Sequence, residues 1–149
     1  MTALVVSEIK ISYEPKVKAV HRPRVKCSKD AYMHVRQFFD PSLLNIKEEA
    51  VALFLNRSNN IIGGFKVSSG GITSTIVDIG LILGVAVKCL AKGLILAHTH
   101  PSGELQPSKA DLTLTARLKE AARLLDITLI EHLIVSTEGY TSFADEGLL

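Results

Sequence analysis

The chain has 149 residues, 47% of them hydrophobic and 21% charged, with a formal net charge of +2. That length suits one domain with a single sizeable core, and the composition excludes a largely disordered chain. The net charge is too small to imply a nucleic-acid protein by itself.

In chain order, "LVVSEIKISY" alternates weakly and predicts an edge strand. A basic, extended arm follows: Lys16, Lys18, Arg22, Arg24, Lys26 and Lys29 run without an acidic residue until Asp30. Residues 1–27 therefore stand apart from a domain over 28–149. A run of this kind is usually solvated. Contact with nucleic acid through Lys16 to Lys29 would be limited to weak, salt-sensitive attraction to phosphate.

"SKDAYMHVRQFF" predicts a helix with Ser28 as N-cap and an apolar stripe of Ala31, Val35, Phe38 and Phe39, ended by Pro41. "AVALFLN" from Ala50 to Asn56 predicts a strand, "RSNN" a turn, and "IIGGFKVSSGG" the returning arm of a hairpin. A helix beginning near Val77 should stop at Gly93, and "LILA" should be a central strand. The apolar run from Ile76 to Ala97 is interrupted by Asp78, Lys88 and Lys92, so it predicts a buried helix and strand rather than a membrane span. Ser108 to Leu125 carries Leu112, Leu114, Leu118, Ala121, Ala122 and Leu125 at helical spacing. "ITLIEHLIVS" and "GYTSFAD" complete the chain as strands around a turn at Thr137–Gly139. Strands alternating with long helices predict an α/β domain with a mixed sheet flanked by helices. Cys27 and Cys89 form no paired metal spacing, and no signal peptide is evident, which together predict a cytoplasmic protein.

The stretch "AHTHPSGELQPSKAD", from Ala97 to Asp111, concentrates the chemistry. His98 and His100 follow a buried strand, and residues i and i+2 of an extended chain point the same way. Both imidazoles can therefore converge on one ion. Asp111, in the first turn of the next helix, can fold back as a third, oxygen ligand. Three protein ligands with an open position are the pattern of a catalytic zinc site. Ser108-x-x-Asp111 also reads as a capping box, which accounts for those two residues but leaves the histidines unexplained. Histidines beside a buried strand are costly unless paired or ligating.

The spacing H-x-H-P, seven residues, S-x-x-D resembles the signature of the JAMM/MPN+ metalloproteases, with His98, His100, Ser108 and Asp111 in place. The segment "ILAHTHPSG…PSKADLTLTARLKEAARLLDITLIEHLIVSTEGYTSFADEGLL" is similar to the C-terminal domain of the RadC family, over about Ser28 to Leu149. Thr99 departs from the Asn usual in RadC proteins at that place, and nothing here resembles the helix-hairpin-helix region that many of them carry. The resemblance implies a JAB/MPN fold, of cytidine-deaminase-like architecture. It also implies one Zn2+ per chain on His98, His100 and Asp111.

By the same resemblance, an upstream glutamate serves as general base, and Glu48 holds the matching place. Strand alternation puts Glu48 on the face of Ala50, Ala52 and Phe54 and Glu49 on the opposite face, so only one of the two can reach the ion. Ser108 would donate to the oxyanion. The implied activity is hydrolysis of an amide bond in a peptide or protein substrate.

The alternative is a DNA-repair-associated accessory protein whose metal has another role. A nucleobase deaminase would need H-x-E with P-C-x-x-C, which the two cysteines do not supply. A binding module that keeps the metal without catalysis should have lost part of the constellation. His21 and His34 are expected at the surface, and His132 is expected as a satisfied core histidine behind the site. Ser69, Gly70 and Gly71 are expected to shape a loop beside the cleft, and Ser102 and Gly103 to form a turn.

Overall fold

The computed structural model describes residues 5–69 and 77–149. Five strands form one sheet in the order β2-β1-β3-β4-β5. They are β1 (Glu49–Leu55), β2 (Ile61–Ser69), β3 (Gly93–Thr99), β4 (Thr128–Ser136) and β5 (Gly139–Ser142). β3 and β4 are parallel and every other pair is antiparallel, so the sheet is mixed. Among the described residues the α-helices are α1 (Ser28–Val35), α2 (Ile79–Lys88) and α3 (Lys109–Leu124).

β1 and β3 are buried along their whole length. Strands covered on both faces read as unbroken apolar runs, which is why "AVALFL" and "LILA" carry no alternation. The pleat divides their side chains between two cores. Ala50, Ala52, Phe54, Leu94 and Leu96 meet Ile82 and Ala86 of α2 and Leu118 and Ala122 of α3. Val51, Leu53, Leu55, Ile95 and Ala97 meet Ala31 and Val35 of α1, with Phe39 and Leu44 beyond it. The result is a mixed sheet between helical layers, as an α/β fold of the JAB type requires.

Three expectations are corrected. The residues from Val5 to Tyr13 that are described form no strand; Val5, Val6 and Ile9 are 84–93% exposed. Alternation needs a hydrogen-bonded neighbour to become a strand, and here the Tyr13 hydroxyl merely donates to the Ile62 carbonyl. Among the described residues of the arm, the β-bridge is that of Arg24 to Asn60. Ser28 is the first helical residue of α1 rather than its N-cap, which is Cys27. Its hydroxyl donates instead to Asp145, far along the chain, while Asp30 accepts from the Lys26 amide.

Gly93, finally, does not stop α2. The helix ends earlier through Leu90 at φ 56°, with the Ala91 amide donating to Ala86 at 2.9 Å, and Gly93 opens β3. The glycine makes room there: a Cβ would lie 2.5 Å from the tip of the Ile130 side chain and 3.3 Å from Leu55 Cβ, so these neighbours would have to shift. A left-handed terminus is usually glycine, and the leucine at this one is 77% exposed. Replacing it forfeits little packing and relieves backbone strain, less the extra freedom glycine has when unfolded. Leu90→Gly is therefore expected to raise unfolding stability by about 0.5–1 kcal/mol, read from urea denaturation midpoints at constant slope.

Candidate metal centre

The site forms where β3 ends, beside the start of α3. His98 pairs with Ala50 of β1 and Ile134 of β4. It therefore projects on the Ala50–Phe54 face, toward α3. His100 stays on the same line because its amide donates to the Val135 carbonyl at 3.0 Å. The chain then reverses. Gly103 takes φ +83°, a conformation that side chains other than glycine adopt at a cost, and its amide closes the turn onto His100. The Ser102 hydroxyl accepts from the Glu104 amide, so Ser102 and Gly103 are turn residues.

Ser108 caps α3 with both halves of the capping box in place. Its hydroxyl accepts from the Asp111 amide at 3.1 Å, and the Asp111 carboxylate accepts from the Ser108 amide at 2.8 Å. The cap orients the carboxylate that the metal site needs, so capping and ligation are one arrangement rather than rivals. His98 Nε2 and His100 Nε2 lie 2.9 Å apart. Asp111 Oδ1 is 3.1 Å from the first and Oδ2 3.3 Å from the second. Taken together, one ligand atom from each of the three lies within 4.8 Å of the others.

This donor set fits a divalent ion: two imidazole nitrogens and a carboxylate turned toward one point, with side chains only 5%, 12% and 13% exposed. Two nitrogens and one oxygen suit zinc, as they suit several first-row ions. The Asp111 carboxylate raises His100 above the ordinary imidazole value, against the opposing pull of burial. Burial pushes the Asp111 carboxyl up, but hydrogen bonds with His100 and His98 carry it well below the usual carboxylate range. A cation binding here would compete with protons for these groups.

Glu48 is half-buried and lines a cleft of about 180 Å³ with Val77, His98, Ala110, Asp111 and Leu114. Glu49 points away. It is 2% exposed, its amide donates to Thr99 Oγ1, and its Oε2 lies 2.7 Å from Lys66 Nζ. That contact is one of charge, since neither carboxylate oxygen accepts a well-formed hydrogen bond from the described residues. The alternation of β1 separates the two glutamates, and of the two it is Glu48 that lines the cleft with His98 and Asp111. Gly70 and Gly71 lie outside the described residues, as does the Ser69 side chain. His21 is exposed, whereas His34 is half-buried.

The sequence singled out His132 only as a core residue and passed over Thr115 entirely. Both stand directly behind the ligands. His132 is fully buried, stacked on Phe143 with ring centroids 4.3 Å apart, and its Nε2 is 2.8 Å from His98 Nδ1. Burial pushes its pKa well below the ordinary value. The available signal was a polar Thr115 between Leu114 and Leu118 on the buried side of α3.

The RadC-like JAB domain matches residues 25–148. The chain is 43% identical over 136 residues to a UPF0758 protein of Porphyromonas gingivalis, covering 90% of this chain and 60% of that protein. A UPF0758 protein of Flavobacterium johnsoniae is 48% identical over 101 residues, 68% of this chain and 44% of its own length. UPF0758 protein YfjY of Escherichia coli is 43% identical over 103 residues, 69% and 64% of the two chains. The chain spans about half the length of the curated relatives it matches. With the match running through β1, the two histidines and the capped α3, the chain belongs to the RadC-like JAB domain family.

Proposed function

We propose that this domain is a zinc-dependent hydrolase of amide bonds in peptides or proteins. The observation that carries the reading is the convergence of His98, His100 and Asp111 beside a cleft that His98 and Asp111 line together with Glu48. A divalent ion held by the three ligands would polarise a carbonyl and lower the pKa of a water toward neutrality.

The remaining work falls to this chain's own residues. Glu48 stands where a carboxylate can take the water's proton and pass it to the leaving amine. Ser108 Oγ already accepts from the Asp111 amide. Its own proton is therefore free to donate to the oxygen that gains charge. The small cleft suits an extended segment of chain, which favours short peptides or flexible tails as substrates.

The setting that fits is a cytoplasm, supported by two unpaired cysteines. Among the described residues no helix is long and apolar enough to cross a membrane.

Protein purified without chelator should carry about one zinc per chain by elemental analysis. Cleavage of flexible peptides should be lost with phenanthroline and return on adding zinc. Cleavage that persists after complete metal removal would overturn the reading.

A further inference from the structure

The hydrogen bonds behind the metal centre have a direction, and that direction can be read from one hydroxyl. Thr115 Oγ1 lies 2.8 Å from the Asp111 backbone carbonyl and 2.6 Å from His132 Nδ1. A carbonyl oxygen can only accept, so the single Thr115 proton goes to Asp111. The lone pair of Thr115 Oγ1 must then accept from His132, which fixes the His132 proton on Nδ1.

Complete burial keeps His132 a neutral ring with one donor and one acceptor. Its Nε2, 2.8 Å from His98 Nδ1, is therefore an acceptor, and the His98 proton sits on Nδ1. What remains at His98 Nε2 is a lone pair facing His100 Nε2 and Asp111 Oδ1. His100 is oriented by a shorter route: its Nδ1 donates to the Glu104 carbonyl at 2.7 Å, which turns its Nε2 to the same point.

We infer that Thr115 and His132 are positioning residues that order these protons and so hold His98 in the tautomer able to bind a metal. The relay begins on the carbonyl of Asp111 and ends on His98. It thus also ties the first turn of α3 to the end of β3, through β4, and sets the spacing of two ligands. Phe143 stacked on the His132 ring, and the Glu131 carboxylate accepting from the His132 amide at 2.9 Å, hold the central member in place. Ligating histidines whose second nitrogen is so engaged bind more tightly, and loss of such a partner costs about 10–100-fold in affinity. The purpose of the relay rests on the metal reading above, but its proton order does not.

The test has two arms. In metal-free, nitrogen-15-labelled wild-type protein, long-range proton–nitrogen correlation should show His98 with a protonated Nδ1 and a bare, pyridine-like Nε2. Zinc titration against a chromophoric chelator should then show Thr115→Val binding about 10–100-fold more weakly, with a mixed His98 tautomer. Thr115→Ser keeps the hydroxyl and should restore both. Valine is isosteric with threonine, so a merely structural role would leave affinity and tautomer unmoved. A protonated His98 Nε2 in the wild type overturns the inference, whether or not the variants fold. So does a folded Thr115→Val with wild-type affinity. A wild type with the expected tautomer that takes up no zinc would sink the hydrolase reading while supporting the relay.

Discussion

Glu48→Gln is expected to keep zinc at the wild-type level and to lower peptide hydrolysis by about 10²–10⁴-fold. An amide has nearly the shape of the carboxylate but cannot accept the water's proton at neutral pH. Metal content should hold because the three ligand atoms come from His98, His100 and Asp111. Glu49→Gln is the matched control. Glu49 lies on the opposite face of β1 against Lys66, so its loss should leave hydrolysis within a few-fold of wild type. Parallel measurements of turnover and bound zinc in both variants decide the matter. Loss of hydrolysis in Glu49→Gln with retention in Glu48→Gln would transfer the base role and break the link between strand register and chemistry.

His100→Ala should weaken zinc binding by at least about 100-fold. Structural zinc sites gain about 10–16 kcal/mol from roughly four ligands, or near 3 kcal/mol for each. The fold should survive. The His100 side chain is 12% exposed just beyond β3 and belongs to neither apolar core. What the metal-free protein loses with the imidazole is its contacts with Asp111, His98 and the Glu104 carbonyl at the edge of the fold. Chelator competition gives the affinity, and a thermal melt of the metal-free variant within a few degrees of wild type verifies the fold. Zinc retained at wild-type affinity would remove His100 from the ligand set.

How much of this was legible beforehand depends on the range of each interaction. The ligand triad was readable because its determinants are local. His98 and His100 share a strand face by the two-residue repeat of an extended chain. Asp111 is carried to them by a turn and a capped helix, whose signals, Gly103 and Ser108, lie within the same short stretch. The central strands were readable for a related reason, since burial on both faces writes itself as an apolar run. The separation of Glu48 from Glu49 followed from alternation, although only the pairing of Ala50 with His98 decides that Glu48's face is that of His98.

Tertiary structure alone decided the rest. Nothing near Thr115 or His132 in the chain points to the other, because the parallel pairing of β3 with β4 and the packing of α3 bring them together. The weak alternation of the first thirteen residues was misleading for the same reason in reverse: a strand is made by its neighbour, and the described part of that segment pairs its backbone with neither edge of the sheet. Gly93 was mistaken for a helix stop because sequence shows a glycine's freedom, while its reason for being there, the Ile130 side chain across the sheet, appears only once β3 and β4 are paired. Local periodicity and capping act over a few residues and are written in order along the chain. Pairing partners and close approaches are set by contacts across the sheet, and these exist only when the chain has folded.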